Sequence, residues 1–587
     1  MSDTPFPALS GTRFPALVRA RRLPNLWDLS AIAIVFAAII GITHVARNTL
    51  VPLSAPEAVS VHLDPSYLPG YAVRSTLRMF AAMAASLFFT FTFATAAAKS
   101  RRAGLVMVPI LDILQSVPIL GFLTFTVVFF MSLFPGRVLG LELAAIFAIF
   151  TSQAWNMAFS MYQALKTVPG DLAEVARSYH LSGWQKFWRL EVPFAVPGLV
   201  WNTMMSMSGG WFFVVASEAI SVGDNNWQLP GIGSYVAQAL QKRDIWAVFY
   251  AIVAMLVVIL LYDQLLFRPL VAWSSKFTFE TTAAVTAPDP WVLRLFRRTR
   301  LLGAVGDAVG RAFNTVSGMR FFPGRSGRAP VTAEPNPSRA RLIDTIYLLV
   351  VSVIVAWAVW RIVAFCATEL ALADLFQAVK LGSYTMLRVI ILIILASLVW
   401  VPIGVWLGLR PEWARRAQPI TQFLAAFPAN LLFPPFVVVI VTFHLNPDIW
   451  LTPLMILGTQ WYILFNVIAG AAAFPGDLRE AASNFRVGGL LWWRRVILPG
   501  IFPYFVTGAI TASGGSWNAS IVAEVVVWGN TKLEAHGLGA YIAAATDKGD
   551  MARVVLGVAV MSAFVLLFNR VLWRPLYAYG ERRLTLG

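Results

Sequence analysis

The chain has 587 residues, of which 58% are apolar and only 13% are charged. A soluble domain carries about a quarter charged residues, so an ordinary soluble enzyme and a disordered chain are both excluded, and many bilayer spans of about 20 apolar residues fit. A formal charge of +17 in such a chain reads first as Lys and Arg gathered in cytoplasmic loops, not as a nucleic-acid surface.

Residues 1–27 are polar and Pro-rich, and are expected to form a cytoplasmic N-terminal segment. Apolar runs long enough to span follow near 28–47, 76–98, 105–131, 140–164, 199–222 and 245–268, defining a first six-span domain over 28–270. The interval 271–341 holds eleven Lys/Arg against four acids, a net +7. Its stretch 291–298 mixes apolar and basic residues, and reads either as an inner-leaflet helix or as a solvated tether. Its stretch 324–339, rich in Pro, Gly and Arg, is expected to be disordered. Six more runs, near 343–365, 384–408, 420–443, 449–473, 504–528 and 551–573, define a second domain over 342–578, before a short tail, 579–587. Basic loops alternate with poor ones, such as 48–73, which has no Lys or Arg. Both termini and the central interval are therefore expected to be cytoplasmic. The single Cys366 excludes an internal disulfide and a Cys-based metal site, and the five histidines show no ligand spacing.

The halves repeat each other. Pro169-Gly170-Asp171-Leu172 recurs as Pro475-Gly476-Asp477-Leu478, an offset of 306 that also pairs Gly231-Ile232-Gly233 with Gly537-Leu538-Gly539 and Arg268-Pro269-Leu270 with Arg574-Pro575-Leu576. Upstream the offset is 310, pairing Arg78 with Arg388 and Pro118 with Pro428. With six spans each, the halves are parallel repeats related by an axis along the membrane normal.

Within the two long basic loops, Asp171 with Glu174 and Asp477 with Glu480 have capping-box spacing. A short helix is expected to run from there to about Ser182 and Val487, with Gly183 and Gly489 in the left-handed turn that ends it. A second short helix would stop at Pro193 and Pro499. The small residues Ala173, Ala176, Ala481 and Ala482 would let another surface approach the resulting knob.

Glu174-Val175-Ala176 with Gly183 and Pro193, and Glu480-Ala481-Ala482 with Gly489 and Pro499, resemble the EAA–G loop of permease subunits of type I binding-protein-dependent ABC importers. The second copy is closer to the family form. Ser513-Gly514-Gly515-Ser516-Trp517-Asn518 and the Trp573-Arg574-Pro575-Leu576 terminus are similar to the nitrate/sulfonate/taurine/bicarbonate branch. The resemblance implies an all-α membrane fold of two parallel six-helix (MetI-like) repeats, about twelve spans, in a bacterial inner membrane. It implies that Asp171, Glu174, Ala176, Gly183, Asp477, Glu480, Ala481, Ala482 and Gly489 dock two cytoplasmic ATPase subunits. ATP and Mg would sit on those partners, and an extracytoplasmic binding protein would deliver the substrate. The sequence has no Gly-Lys dipeptide and therefore no P-loop. No cofactor is expected in this chain, no nucleic acid, and no catalysis of its own.

Candidate pathway residues are Asp112, Gln115, Gly209, Gly210, Glu218, Gln422, Gly514, Gly515, Asn518 and Glu524. An ionisable group in a span suggests function by default, but Glu218 and Glu524 also read as lying at the outer end of the span or as pairing with a local Arg. The Ser-Gly-Gly runs read as close helix packing or as exposed backbone along a pathway. Arg78 and Arg388 read as snorkelling interface residues or as having a role at the outer face. A twelve-span secondary carrier driven by an ion gradient is the alternative; the duplicated knob argues against it.

Overall fold

In the computed structural model, residues 60–222, 225–277, 299–319, 337–472, 476–529 and 531–583 are described, with a few single positions besides. The expected run 28–47, but for single positions, and most of the stretch 324–339 lie outside them; the last three residues of that stretch, 337–339, are helical and not disordered as expected. In the first half, α1 (Leu68–Lys99), α2 (Arg101–Ser116), α3 (Ile119–Leu133) and α4 (Val138–Lys166) lead to the short helices α5 (Gly170–Ser178) and α6 (Gly183–Lys186). The long helix α7 (Val192–Glu218) follows, then an antiparallel hairpin of β1 (Ala219–Val222) and β2 (Asn225–Gln228), with Ile220 opposite Trp227. Helices α8 (Ile232–Lys242), α9 (Ile245–Tyr262) and α10 (Arg268–Ser274) close the half, and α11 (Arg300–Gly318) lies in the linker.

The second half repeats the order after one long helix, α12 (Pro337–Glu369). It comprises α13 (Leu372–Gly408), α14 (Pro411–Ala426), α15 (Phe433–Thr442), α16 (Gln460–Ala472), α17 (Gly476–Asn484), α18 (Gly489–Trp492) and α19 (Leu498–Ala523). The hairpin β3 (Val525–Trp528) with β4 (Thr531–Glu534) precedes α20 (Leu538–Asp547), α21 (Met551–Phe568) and α22 (Arg574–Arg583).

Among the described residues, seven helices are long and apolar enough to cross a membrane, or up to nine if each of two bent pairs is one span. Twelve runs were expected; one of them, 28–47, lies almost wholly outside the described residues, and two others are broken for local reasons. Pro118 forces Val117 into extended backbone (φ −77°, ψ 127°), so the run 105–131 breaks and α2 meets α3 at 103°. Pro428 does the same to Phe427 (φ −71°, ψ 128°), and the run 420–443 divides into α14 and α15.

Helix α4 is the centre of the first half and packs on both α1 and α7. Its buried face includes Gly140, Ala144, Ala145, Ala148, Ala154 and Ala158, small residues that let backbones approach where lipid supplies no hydrophobic drive between helices. In the second half α16 takes this place between α13 and α19. The halves interlock: Ile119, Leu120, Leu123 and Val127 of α3 join the core of the second half. By contrast α12 buries none of its apolar window, a surface matched to hydrocarbon rather than to water.

Four π-helical segments interrupt the long helices at Phe187–Glu191, Asp263–Phe267, Trp493–Ile497 and Asn569–Trp573. Each ends two residues before a proline: Pro193, Pro269, Pro499 or Pro575. A proline has no N–H and crowds the carbonyl four residues back; the wider i→i+5 turn absorbs that conflict. The helices therefore do not stop at Pro193 and Pro499, as the sequence suggested. They run on into α7 and α19.

Candidate functional site

Each knob is a short helix, a tight turn and a second short helix. Asp171 and Asp477 lie inside the first turns of α5 and α17, not ahead of them. At α5 the N-cap residue is Pro169, and no side chain caps it. The expected capping box is therefore absent there, and Asp171 acts only through the helix dipole. A true box forms one helix later, where Ser182 Oγ accepts from Gln185 N and Gln185 Oε1 accepts from Ser182 N. The left-handed positions also differ from expectation. His180 (φ 50°) and Arg486 (φ 49°) end α5 and α17, Gly489 (φ +57°) is left-handed, and Gly183 is not. The helices end at Ser178 and Asn484, several residues early, because those turns intervene.

The knob's faces sort the expected docking residues. Glu174 is mostly exposed and pairs loosely with Arg177 at 3.4 Å; Asp171, Asp477 and Glu480 are exposed as well. Ala176 and Ala482 are buried at 5% and 7% exposure, and Ala481 is half-buried. Ala176 and Ala482 thus pack the inside of the knob instead of meeting another surface. Their carbonyls accept from Leu181 N and Val487 N across the turn.

At the far ends of α7 and α19, Glu218 and Glu524 anchor two ion clusters. In the first, Arg78 donates through Nε and Nη2 to Glu142 at 2.6 and 2.7 Å, through Nη1 to Glu218 at 2.7 Å, and to Pro230 O. Ser75 Oγ donates to Glu218 and accepts from Ile232 N, while Gly233 N donates to the other Glu218 oxygen. All three charged side chains are under 10% exposed. Arg78 is therefore not snorkelling, and a fully bonded bidentate fork is what makes its burial tolerable.

The second cluster is the same design with three residues changed, Thr385 standing where the first has Ser75. Arg388 donates to Glu524 at 3.2 Å and to Asp448 at 2.9 Å; Thr385 Oγ1 donates to Glu524 and accepts from Leu538 N. At the 306 offset Glu142 becomes Asp448 and Pro230 becomes His536. The ring and backbone N of His536 both meet Asp448, at 2.9 and 2.7 Å. This cluster is open: Asp448 is 36% and His536 76% exposed. The paired Gly231 and Gly537 exist for these clusters, since a Cβ at either would collide with the carboxyl of Glu218 or Glu524. Glu142, Asp448, Ser75 and Thr385 were not among the expected site residues, and the two glycines were legible only as a repeated pair. The signal was present in the 306 offset between Glu142 and Asp448, hidden by the change of residue type.

Glu218 and Glu524 are thus fasteners and do not line the cavity between the halves. That cavity, of about 230 Å³, is lined by Gln115, Asn156, Ser206 and Gly209 from one half and by Tyr462, Thr511, Gly514, Gly515 and Asn518 from the other, among others. None of its lining residues carries a formal charge. Asn156 Oδ1 accepts from Gln115 Nε2, and Asn518 Oδ1 accepts from Ile119 N, tying α19 to the broken end of α2–α3. Gly210 instead abuts Gln153 and Met79, so its place is packing. The side chains of Asp112 and Gln422 lie outside the described residues.

The family model for the binding-protein-dependent transport system inner membrane component matches twice, over residues 78–268 and 400–574. The chain belongs to this family, in duplicate. Among curated relatives, a bicarbonate transport system permease protein of Synechococcus elongatus is 29% identical over 180 residues, 30% of this chain and 62% of its own length. A nitrate import permease protein of Leptolyngbya laminosa is 25% identical over 182 residues, 31% and 62% respectively. A glycine betaine/carnitine transport permease protein of Listeria monocytogenes is 27% identical over 169 residues, 29% and 54%. The chain thus spans less than two thirds of the length of these relatives.

Proposed function

We propose that this chain supplies both membrane halves of an ATP-driven importer in a bacterial inner membrane, with both termini cytoplasmic. Each knob would dock one ATPase subunit through Glu174 or Glu480. The observation that carries this reading is the pair of exposed knobs, each continuous through a π segment with a long helix fastened at its far end. A displacement of the knob would travel along α7 or α19 as a rigid lever. It would reach Glu218 or Glu524 and, through Gly233 and Ala540, the helices α8 and α20 that cap the far side. ATP binding by the partners would draw the knobs together, and the hairpin end would open to a binding protein. Hydrolysis would reset it.

The substrate we infer is a small anion, of the kind the bicarbonate and nitrate relatives are named for, with sulfonates or taurine in the same range. A largely apolar cavity with a few hydroxyls and amides and no fixed charge suits such a solute: the polar groups replace part of its hydration without holding the ion too tightly to leave. The test is co-purification with the cognate ATPase. Glu174→Ala with Glu480→Ala should abolish ATP-driven uptake and weaken ATPase capture, while membrane insertion stays normal. Uptake that persists in that double variant, or that runs on an ion gradient without the ATPase, would overturn the reading.

A further inference from the structure

The linker helix α11 is seated on the first knob and, among the described residues, has no counterpart on the second. The Trp184 indole N–H donates to Val316 O and the Gln185 amide donates to Gly318 O, both at 2.8 Å. These are last-turn carbonyls of α11, where a helix runs short of internal partners; Val316 O accepts from Met319 N besides. Phe313 meets the Trp188 ring edge-on, 5.6 Å between centroids. At the 306 offset Trp184, Gln185 and Trp188 become Leu490, Leu491 and Arg494. Neither leucine can donate to a carbonyl, and both are bare, at 83% and 55% exposure. The second knob therefore lacks the means to seat such a helix.

Helix α11 carries Val309, Phe313 and Val316, spaced i, i+4 and i+7, at 62%, 47% and 46% exposure. They form one apolar stripe that begins against the knob, where Phe313 meets Trp188, and leaves Val309 bare. A helix resting on an anionic leaflet carries Lys and Arg along its polar face. Over its whole length α11 has only Arg300, Asp307 and Arg311 as charged residues. A near-neutral helix with an apolar stripe, fixed beside a docking knob, matches a protein surface better than a lipid one.

We propose that α11 and the first knob form one composite seat for an ATPase subunit, whereas the second seat is the knob alone. The two ATPase seats of this chain are then unequal. This inference rests on the ATPase-docking reading above. It is tested on the full chain in nanodiscs of stated anionic-lipid content, titrated with the purified cognate ATPase. A label at Val309→Cys, on a Cys366→Ser background, reports the stripe. The titration should resolve two affinities, Val309→Asp should weaken one of them about tenfold or more, and the label should lose solvent access only when ATPase is added. Shielding of the label by the nanodisc before ATPase is added, or two unchanged affinities in Val309→Asp, would overturn the composite seat. Loss of neither site in the Glu174→Ala/Glu480→Ala variant would instead remove the docking reading itself.

Discussion

Arg78 sits between two carboxylates that have almost no access to water. Removing one partner of a buried ion cluster strands the others, at about 3–5 kcal/mol. Arg78→Met should therefore cost about that much stability, read as a lowered thermal midpoint of the chain in detergent. Arg388→Met should cost less, because it strands one buried carboxylate, Glu524, where Arg78→Met strands two, while Asp448 is already partly solvated and keeps its hydration when its partner goes. Equal losses at the two sites would contradict the distinction drawn between the clusters. Gly231→Ala is a second check on the same geometry. It pushes a methyl into the Glu218 carboxyl and should approach Arg78→Met in severity, whereas Gly170→Ala, with nothing near its Cβ, should be mild. If Gly170→Ala is the more damaging, the glycine is not serving the cluster.

At the scale of elements, the prolines are where the sequence reading and the structure part. A proline after a short amphipathic stretch reads as a stop, because its missing N–H ends most helices. Here the π turns let α6 and α18 pass Pro193 and Pro499 without a break, and no composition signal announces a π turn. The knobs' existence was legible from Glu174, Glu480 and the repeated Pro-Gly-Asp; the inward placing of Ala176 and Ala482 was not, since a nine-residue helix offers too little periodicity to fix its face. The broken spans were written in Pro118 and Pro428, yet hydropathy windows average across a single proline. The step in offset from 310 to 306 also has a cause: between Pro118 and Trp155 the first half is four residues longer, about one turn of helix. The stretch contains α3, which is 15 residues long against 10 for α15. If the π turn is a response to proline, Pro499→Ala restores the N–H and lets the segment relax to α-helix. One residue of register then rotates the knob by about 100° about the axis of α19. Uptake should collapse while the thermal midpoint holds or rises. Unchanged amide-exchange protection across Trp493–Ile497 would show that the turn has another origin.

For the whole molecule, the halves close on each other at the end opposite the knobs. Helix α8 of the first half touches β3 of the second, and α20 touches β1. The turn between β3 and β4 is fixed by Gly529, whose N–H donates to Leu240 O at 3.0 Å. Its φ of +59° suits glycine, and a Cβ there would run into the Arg243 side chain. Closure at this hairpin thus rests on a glycine turn and on the more open ion cluster below it; the matching turn position, Gly223, lies outside the described residues. With Gly529→Val the collision is relieved when the exposed Arg243 side chain swings away, but the left-handed backbone strain remains, and the hairpin relieves it by lifting from α8. The cavity between the halves would then be reached from the hairpin side. Ser206→Cys, on a Cys366→Ser background, places a lone thiol in the cavity wall. In sealed vesicles with the hairpin side outward, a membrane-impermeant maleimide should label it several-fold faster with Gly529→Val than without. Equal labelling rates would mean that closure lies deeper, among the helices that carry Glu218 and Glu524, and not at the hairpins.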